Sequence, residues 1–554
     1  MAIALVDGIV VEFDERENLN GIQLARRAGV EIPHYCWHPG LSVVASCRMC
    51  LVEIGFRNAV TGEVRLLPKL VAACNTPAQD GLVLVTQSAK VQQARAMVQE
   101  DLLLRHPVDC PICDKAGECL LQDYYYRYGH RQRRAPWGPF TSRRKDIGEK
   151  ITLFVDRCIM CSRCVRFTRE ISGTAELMIV DRGNHQEIDI FPGFPINNKL
   201  SGNVVDLCPV GALGDKEFLY KQRVWYLTSH PSVCVQCATG CSIWVDENQD
   251  RIWRLRPREN PFVNKWWMCN DGRYAYPYVH SPQRLVGARR KAPDGWCDLD
   301  WSSLVEELRQ FLEQKERLAA VVSPFLTVEE AYLLCRAIRQ VDPRAPLVLG
   351  DVPQVGEDER FPGGFAIARE KCPNRRGVEE VIAHFIGRVP PVEELPELVR
   401  RHGAQAVWLS GEYPQGWAKL EWLPALAELG VALIVHDLFP SALCDRAEFV
   451  VGAPAFAEKA GSYVNRHDRL QSVPAAIRPP KGVFPAGRLL WRLLGQEGTY
   501  EPASVLQEVA RNISYFRAAL GTIPPVGVDL KVNLLAVAEN GTVNDLGTES
   551  LMIG

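Results

Sequence analysis

I-T-L-F-V-D-R-C-I-M-C-S-R-C-V-R-F-T, residues 151–168, decides the fold of the first half of this chain, together with N-N-K-L-S-G-N-V-V-D-L-C-P-V-G-A-L at 197–213. A doubled C-x2-C-x2-C-x3-C-P run holds two iron-sulfur cubes, the fourth cysteine of each run crossing to the other cube. Cys158, Cys161 and Cys164 fill the first three places of one run, but the fourth is Thr168. Counted back from Cys208-Pro209, the second run has Asn198, Ser201 and Val204 where thiolates belong. One cube of the pair is therefore vacated. The survivors, Cys158, Cys161, Cys164 and Cys208, are the four ligands of a single [4Fe-4S] cluster. Structural zinc also takes four cysteines, but usually as two C-x2-C pairs rather than one tight triple loop and a distant Cys-Pro.

Outward from that stretch, cysteine placement is the main anomaly. Of 19 cysteines, fifteen lie in tight groups between Cys36 and Cys269, whereas Cys297, Cys335, Cys372 and Cys444 are scattered. In a reducing compartment grouped cysteines are metal ligands rather than disulfides. The scattered four read as buried small apolar side chains. The remaining composition is that of a soluble globular protein, 47% hydrophobic and 23% charged over 554 residues, with room for about three to five domains. A formal net charge of −2 gives no case for nucleic acid or a polybasic membrane surface. No run of about eighteen apolar residues is present, so no membrane span is expected. The first residues lack a basic n-region and a cleavage site, and Arg26-Arg27 has no apolar segment behind it, so a cytoplasmic location is expected.

Residues 4–13, A-L-V-D-G-I-V-V-E-F, predict a hairpin turning at Asp7-Gly8, and I-Q-L-A-R-R-A-G predicts a helix stopped by Gly29. A hairpin followed by a helix is how a β-grasp ferredoxin begins. The loop beyond carries Cys36, Cys47 and Cys50, with Cys74 after another hairpin, in the spacing C-x10-C-x2-C-x23-C. Plant-type [2Fe-2S] proteins use C-x4-C-x2-C and a distant fourth cysteine, so the first gap is longer here and zinc stays an alternative.

Ser88 to Leu104 predicts a helix with Val91, Ala94, Val98 and Leu102 on its apolar face. It runs into L-R-H-P-V-D-C-P-I-C-D-K-A-G-E-C, which groups Cys110, Cys113 and Cys119. Three thiolates leave a [4Fe-4S] site one ligand short. His106 is the nearest soft donor, whereas Asp109, Asp114 and Glu118 offer harder oxygens that suit iron less well. Tyr124 to Lys145 reads as a basic aromatic linker with Arg127, Arg131, Arg133, Arg134, Arg143, Arg144 and Lys145, either a solvated loop or a counter-charge strip. A fourth group, Cys234, Cys237, Cys241 and Cys269, has the different spacing C-x2-C-x3-C-x27-C and needs its own domain.

Past it, strands are predicted at 318–322, 347–349, 406–409 and 431–435. Helices are predicted from a Thr327–Glu330 capping box through Ile338, over 392–401 before Gly403, and over 422–429 before Gly430. This alternation predicts a parallel α/β sheet. It contains neither G-x-G-x-x-G nor a P-loop.

The four groups in this order, with S-G-N-V-V-D-L-C-P-V-G-A-L and W-W-M-C-N-D-G-R, resemble the large iron-sulfur subunit of bacterial respiratory NADH:quinone oxidoreductase, complex I, over roughly residues 1–285. The resemblance implies a [2Fe-2S] cluster on Cys36, Cys47, Cys50 and Cys74. It implies [4Fe-4S] clusters on His106, Cys110, Cys113 and Cys119, on Cys158, Cys161, Cys164 and Cys208, and, off the main path, on Cys234, Cys237, Cys241 and Cys269. It further implies a fold class of multidomain α+β and α/β. The expected domains are a β-grasp [2Fe-2S] ferredoxin (1–85), a small helical [4Fe-4S] domain (86–140) and a two-cluster-ferredoxin-like domain with one cluster vacated (141–225). A Mo/W-oxidoreductase-type [4Fe-4S] domain (226–284) and a degenerate molybdopterin-oxidoreductase-like α/β domain (285–554) follow. Electrons would pass from an NADH- and FMN-binding subunit toward quinone-arm iron-sulfur subunits, on the inner face of the cell membrane, with no catalytic acid or base on this chain.

The fourth group and the segment A-F-A-E-K-A-G-S-Y-V-N-R-H-D-R-L-Q also resemble molybdopterin oxidoreductases, which raises a rival, the catalytic chain of an NAD-linked formate dehydrogenase. Such chains usually place a lysine two residues after the last cluster cysteine, where Asp271 stands here, so molybdopterin is not expected. A zinc-stabilised scaffold is the third reading.

Overall fold

Asp7 and Gly8 turn the first hairpin with positive φ of 48° and 87°, the backbone that a two-residue turn between twisted strands requires. The computed structural model describes residues 1–532 apart from 59, 131–133, 135, 137, 139–141, 184, 418 and 419. They form two units, one of Met1–Leu227 with Phe361–Phe365, the other of Thr228–Arg360 with the described residues from Ala366 onward.

In the first unit β1 (Ala2–Val6) and β2 (Ile9–Phe13) are followed by α1 (Gly21–Arg27). Asn20 caps α1 by accepting from the amides of Ile22 and Gln23 at 3.1 Å. Then come β3 (Leu51–Arg57), β4 (Val64–Leu66), β5 (Val71–Ala72) and β6 (Leu82–Val85). The sheet order is β2-β1-β6-β3-β4 with β5 on β3, and β1 runs parallel to β6. Ile22, Leu24 and Ala25 of α1 share one core with Val6, Phe13, Val52 and Leu84. The apolar face of the helix thus closes the sheet, and the irregular chain between α1 and β3 is left to carry Cys36, Cys47 and Cys50.

Helix α2 (Ala89–Arg105) starts at Ser88, whose hydroxyl accepts from the Val91 amide, and ends at His106. Helix α3 (Leu120–Tyr128) begins directly after Cys119. The stretch read as a linker from Tyr124 therefore opens inside a helix, and it ends in β7 (Arg144–Asp146). Its described cations pair with acids, Arg127 with Glu31 at 2.6 Å, Arg143 with Asp156 at 2.9 Å and Lys145 with Asp189 at 2.7 Å. Arg131 and Arg133 lie outside the described residues.

After β7 come β8 (Ile151–Phe154), α4 (Arg163–Glu170), the hairpin of β9 (Leu177–Val180) and β10 (Glu187–Ile190), α5 (Asn203–Leu207) and β11 (Leu213–Asp215). Strands β11, β8 and β7 form one sheet. The positions of the vacated cube are occupied by protein. Thr168, Ser201 and Val204 are buried. Thr168 donates to the Val165 carbonyl at 3.1 Å, and Asn198 donates to Glu176 at 3.0 Å.

The second unit opens with antiparallel strands Thr228–Val233, Ser242–Asn248 and Arg251–Pro257. A seven-stranded sheet follows, in the order Gly295–Leu299, Ala288–Ala292, Phe449–Gly452, Ala432–Asp437, Ala406–Ser410, Leu318–Val322 and Leu347–Leu349. The last five strands are parallel, as the alternation predicted. The helix read over 392–401 differs in its start. Val392–Glu394 is a 3-10 turn, and the α-helix is Leu395–His402, with Pro396 in its first turn, where a missing N–H costs nothing. Cys335, Cys372 and Cys444 are buried, but Cys297 is exposed on an edge strand, which corrects its reading as a core residue. Among the described residues no helix is long and apolar enough to cross a membrane.

Candidate functional site

Each cysteine group sits where a local turn aims sulfur inward. At the first group Cys36, Cys50 and Cys74 are buried and Cys47 is partly so. The Cys36 sulfur is within hydrogen-bonding reach of Cys47 and Cys74, and Cys50 of Cys74. Those contacts hold Cys36 and Cys50 below the usual thiol range and push Cys47 and Cys74 above it, so the four sulfurs act as one linked set.

The second group rings a cavity lined by His106, Cys110, Cys113 and Cys119. Cys110 is exposed and Cys119 buried. The Nδ1 of His106 is buried and, among the described residues, without a hydrogen-bond partner. Burial lowers its imidazole to about 4, which keeps the ring neutral and able to ligate. The rival oxygen donors are taken: Asp109 accepts from Arg157 at 2.9 Å, Asp114 from the Tyr220 amide at 2.7 Å, and Glu118 pairs with Lys115 at 3.6 Å. Gly211 closes the far side, where a β-carbon would stand 2.2 Å from the Cys113 sulfur.

Cys158, Cys161, Cys164 and Cys208 together line a second cavity, with Leu153, Ile188 and Val210 as its apolar wall. The loop reverses through positive φ at Met160 (53°) and Ser162 (59°), which brings three cysteines onto one side before α4 starts. Burial pushes the thiols of Cys158 and Cys164 up, and that of Cys161 to about 11, so the bare thiols stay protonated where a metal would hold thiolates. Two arginines of α4 tie this loop to the first group. Arg166 donates to the carbonyls of both Cys36 and Cys161, and Arg163 donates to those of Trp37, at 2.5 Å, and Leu207, at 3.3 Å.

In the second unit Cys234, Cys237, Cys241 and Cys269 are all buried. The Cys234 amide donates to the Cys241 carbonyl at 2.8 Å, closing the loop, and the Gly272 amide donates to the Cys269 sulfur at 3.4 Å. A β-carbon on Gly272 would meet the Cys234 sulfur at 2.8 Å and that of Cys269 at 3.7 Å. Burial raises the thiols of Cys234, Cys241 and Cys269. Among the described residues no three His, Cys, Asp or Glu side chains close on a single-ion site.

The structure thus groups the sixteen sequence-predicted residues as four sets of four. It adds Gly211, Gly272, Arg163 and Arg166, which spacing did not single out. The glycines beside Cys-Pro and in M-C-N-D-G-R were visible as small residues near ligands; the arginines gave no signal.

Four family models match the chain in sequence. They are a 2Fe-2S iron-sulfur cluster binding domain at 4–89, the NADH-ubiquinone oxidoreductase-G iron-sulfur binding region at 95–134, the ferredoxin-like domain of NADH-quinone oxidoreductase subunit 3 at 148–214, and the molybdopterin oxidoreductase Fe4S4 domain at 227–281. An NADH-quinone oxidoreductase subunit of Rickettsia felis is 34% identical over 341 residues, 59% of this chain and 47% of that protein. The mitochondrial NADH-ubiquinone oxidoreductase 78 kDa subunit of Neurospora crassa is 41% identical over 272 residues, 49% of this chain and 35% of that protein. A solved NAD+-reducing [NiFe]-hydrogenase shares 27% identity across 40% of this chain and 91% of that chain, at a TM-score of 0.33. This chain spans about half the length of the Rickettsia felis relative, 47% of it. With these models in this order, and with relatives from one enzyme complex aligned to it, the chain is a homologue of the large iron-sulfur subunit of NADH-quinone oxidoreductase and carries 2Fe-2S and 4Fe-4S cluster-binding domains.

Proposed function

We propose that the chain is the electron-relay subunit of a respiratory NADH:quinone oxidoreductase. It would hold one [2Fe-2S] cluster on Cys36, Cys47, Cys50 and Cys74. Three [4Fe-4S] clusters would sit on His106, Cys110, Cys113 and Cys119, on Cys158, Cys161, Cys164 and Cys208, and on Cys234, Cys237, Cys241 and Cys269. The observation that carries the reading is His106, whose buried, unpartnered Nδ1 belongs to a ring otherwise made of three cysteines. Clusters of this kind supply one-electron centres whose potentials follow ligand type, burial and hydrogen bonding. The chain's own residues do the rest: they bury most of the sulfurs and fix the loops.

Donor and acceptor would be other subunits, an NADH- and FMN-binding chain and the quinone-arm iron-sulfur chains, with the assembly peripheral on the inner face of the cell membrane. The four cluster-bearing segments would be the domains expected at 1–85, 86–140, 141–225 and 226–284.

The α/β region would be a scaffold. In open α/β sheets ligands bind at the carboxyl ends of strands where the order reverses, here between Leu318–Val322 and Ala406–Ser410. That place is occupied by protein. Tyr413 donates to the Asp351 carbonyl at 2.9 Å and abuts Gly350, where a β-carbon would stand 2.7 Å from its hydroxyl. Close by, Lys459 is buried between Glu330 and Glu412.

Metal analysis with low-temperature electron paramagnetic resonance on the anaerobically purified chain tests the reading. About fourteen irons and no molybdenum are expected, from one two-iron and three four-iron centres. Stoichiometric molybdenum with formate oxidation would replace it with the dehydrogenase, and zinc without iron with the scaffold.

A further inference from the structure

Arg95 lies on α2 with 0% of its surface exposed. Among the described residues none of its guanidinium nitrogens, Nε, Nη1 or Nη2, has a hydrogen-bond partner. Its guanidinium carbon stands 5.1 Å from the centre of the Tyr128 ring, a cation–π contact that compensates part of the charge. An isolated cation in a protein interior is otherwise strongly unfavourable unless an anion lies beside it.

The surroundings say which anion. One turn further along α2, buried Gln99 donates to the Tyr35 hydroxyl at 2.5 Å and lies 3.4 Å from the Met49 sulfur. Tyr35 precedes Cys36 and Met49 precedes Cys50, so this face of α2 rests on both ligand loops of the first cysteine group. Burial lowers the pKa of Arg95, and Tyr128, Asp7 and Cys50 oppose it in that order; Asp7 already accepts from the amide of Thr86, at 2.7 Å, and from its hydroxyl, whereas Cys50 belongs to the ligand set. Arg166 and the two terminal nitrogens of Arg163, near the same group, donate to backbone carbonyls, which leaves only Nε of Arg163 unpaired among the described residues. Arg95 donates to none of these.

We propose that Arg95 is the counter-charge of the [2Fe-2S] cluster and raises its reduction potential, a positioning role that rests on the assignment of Cys36, Cys47, Cys50 and Cys74 as ligands. A four-thiolate [2Fe-2S] centre is anionic when oxidised and gains a further negative charge when it accepts an electron. A fixed cation in a low-dielectric interior therefore favours the reduced form more than the oxidised one.

The test is a redox titration of the cluster-loaded full chain and its R95K, R95Q and R95M variants, followed by electron paramagnetic resonance. In R95Q and R95M the reduced-to-oxidised ratio of the [2Fe-2S] signal at fixed potential should fall about tenfold, equivalent to about 59 mV for a one-electron couple. R95K should stay near the parent, and the [4Fe-4S] signals should titrate unchanged. Loss of the [2Fe-2S] signal in the two neutral variants but not in R95K, with the other signals kept, would support the same role, since the oxidised cluster also carries negative charge. An unmoved titration in R95Q and R95M, or an equal change in R95K, would overturn the proposal while leaving the ligand assignment standing. No [2Fe-2S] signal in the parent chain would instead defeat the assignment itself.

Discussion

Gly211 and Cys113 approach so closely that a β-carbon on the glycine would stand 2.2 Å from the cysteine sulfur. The contact joins the V-G-A-L segment after Cys208-Pro209 to the loop of the histidine-bearing group, so one short segment serves two neighbouring sites, Gly211 lining this one and Val210 and Ala212 the other. G211A should displace the Cys113 sulfur from its ring while leaving every ligand in the sequence. The expected outcome is a loss of about four irons per chain, with the signal of that centre gone and the others kept. Iron analysis and electron paramagnetic resonance check it. G138A, where no described residue lies within 4 Å of the added methyl, is the control.

His106 is held at the end of α2 with a neutral ring, which makes its ligand type separable from its position. H106C should retain a centre on Cys110, Cys113, Cys119 and the new thiolate, and lower its potential, because imidazole ligation raises cluster potentials relative to thiolate. A shift of at least about 60 mV, tenfold in the reduced fraction, is expected in a redox titration. H106A should lose the centre.

The ligand sets were legible because each is built mostly from one short loop, and local spacing survives in the sequence whatever the rest of the chain does. The vacated cube was legible for the same reason, since Thr168, Asn198, Ser201 and Val204 occupy counted positions. Strands such as Leu318–Val322 were legible as continuous apolar runs buried on both faces. Contacts between distant segments were not: nothing near Gly211 names Cys113, and nothing near Gln99 names Tyr35. Helix Arg375–Ile386 was hidden by Gly377 in its first turn, where a β-carbon would meet the Asn374 side-chain oxygen at 2.4 Å. Hairpin Ala288–Leu299 was hidden because its second strand is exposed and lacks apolar alternation.

His436 sets a pH dependence in the α/β region. Its Nε2 faces the Phe484 carbonyl at 3.1 Å and its ring meets Trp408 edge-on. Burial lowers its pKa to about 4. The unfolded chain, with an imidazole near 6.5, binds more protons between these values, so stability is full above about pH 6.5 and is lost as pH falls toward 4. Burial pushes Glu412 up against the pull of Lys459 and raises Asp437 to about 6, and these act the other way, since protonated carboxyls favour the fold as pH falls. The difference between parent and H436Q isolates the histidine. It should change by about 3 kcal/mol between pH 7 and 4, read from hydrogen exchange in Ala432–Asp437.

Lys459 holds the same region together by charge. Its Nζ lies 2.7 Å from Glu330 and also contacts Glu412, with all three side chains almost wholly buried. It donates to the Phe325 carbonyl as well, at 3.3 Å, joining the loop after strand Leu318–Val322 to the one after Ala406–Ser410. Removing one member of a buried ionic group strands the others, at a cost of about 3–5 kcal/mol, whereas removing all the charges together is often neutral. K459M should therefore destabilise the α/β region by about that amount, while E330Q/K459M/E412Q recovers most of it. Hydrogen exchange in Leu318–Val322 and Ala406–Ser410 measures both. Equal losses in the single and triple variants would show that packing around Lys459, rather than its charge, joins these two strands.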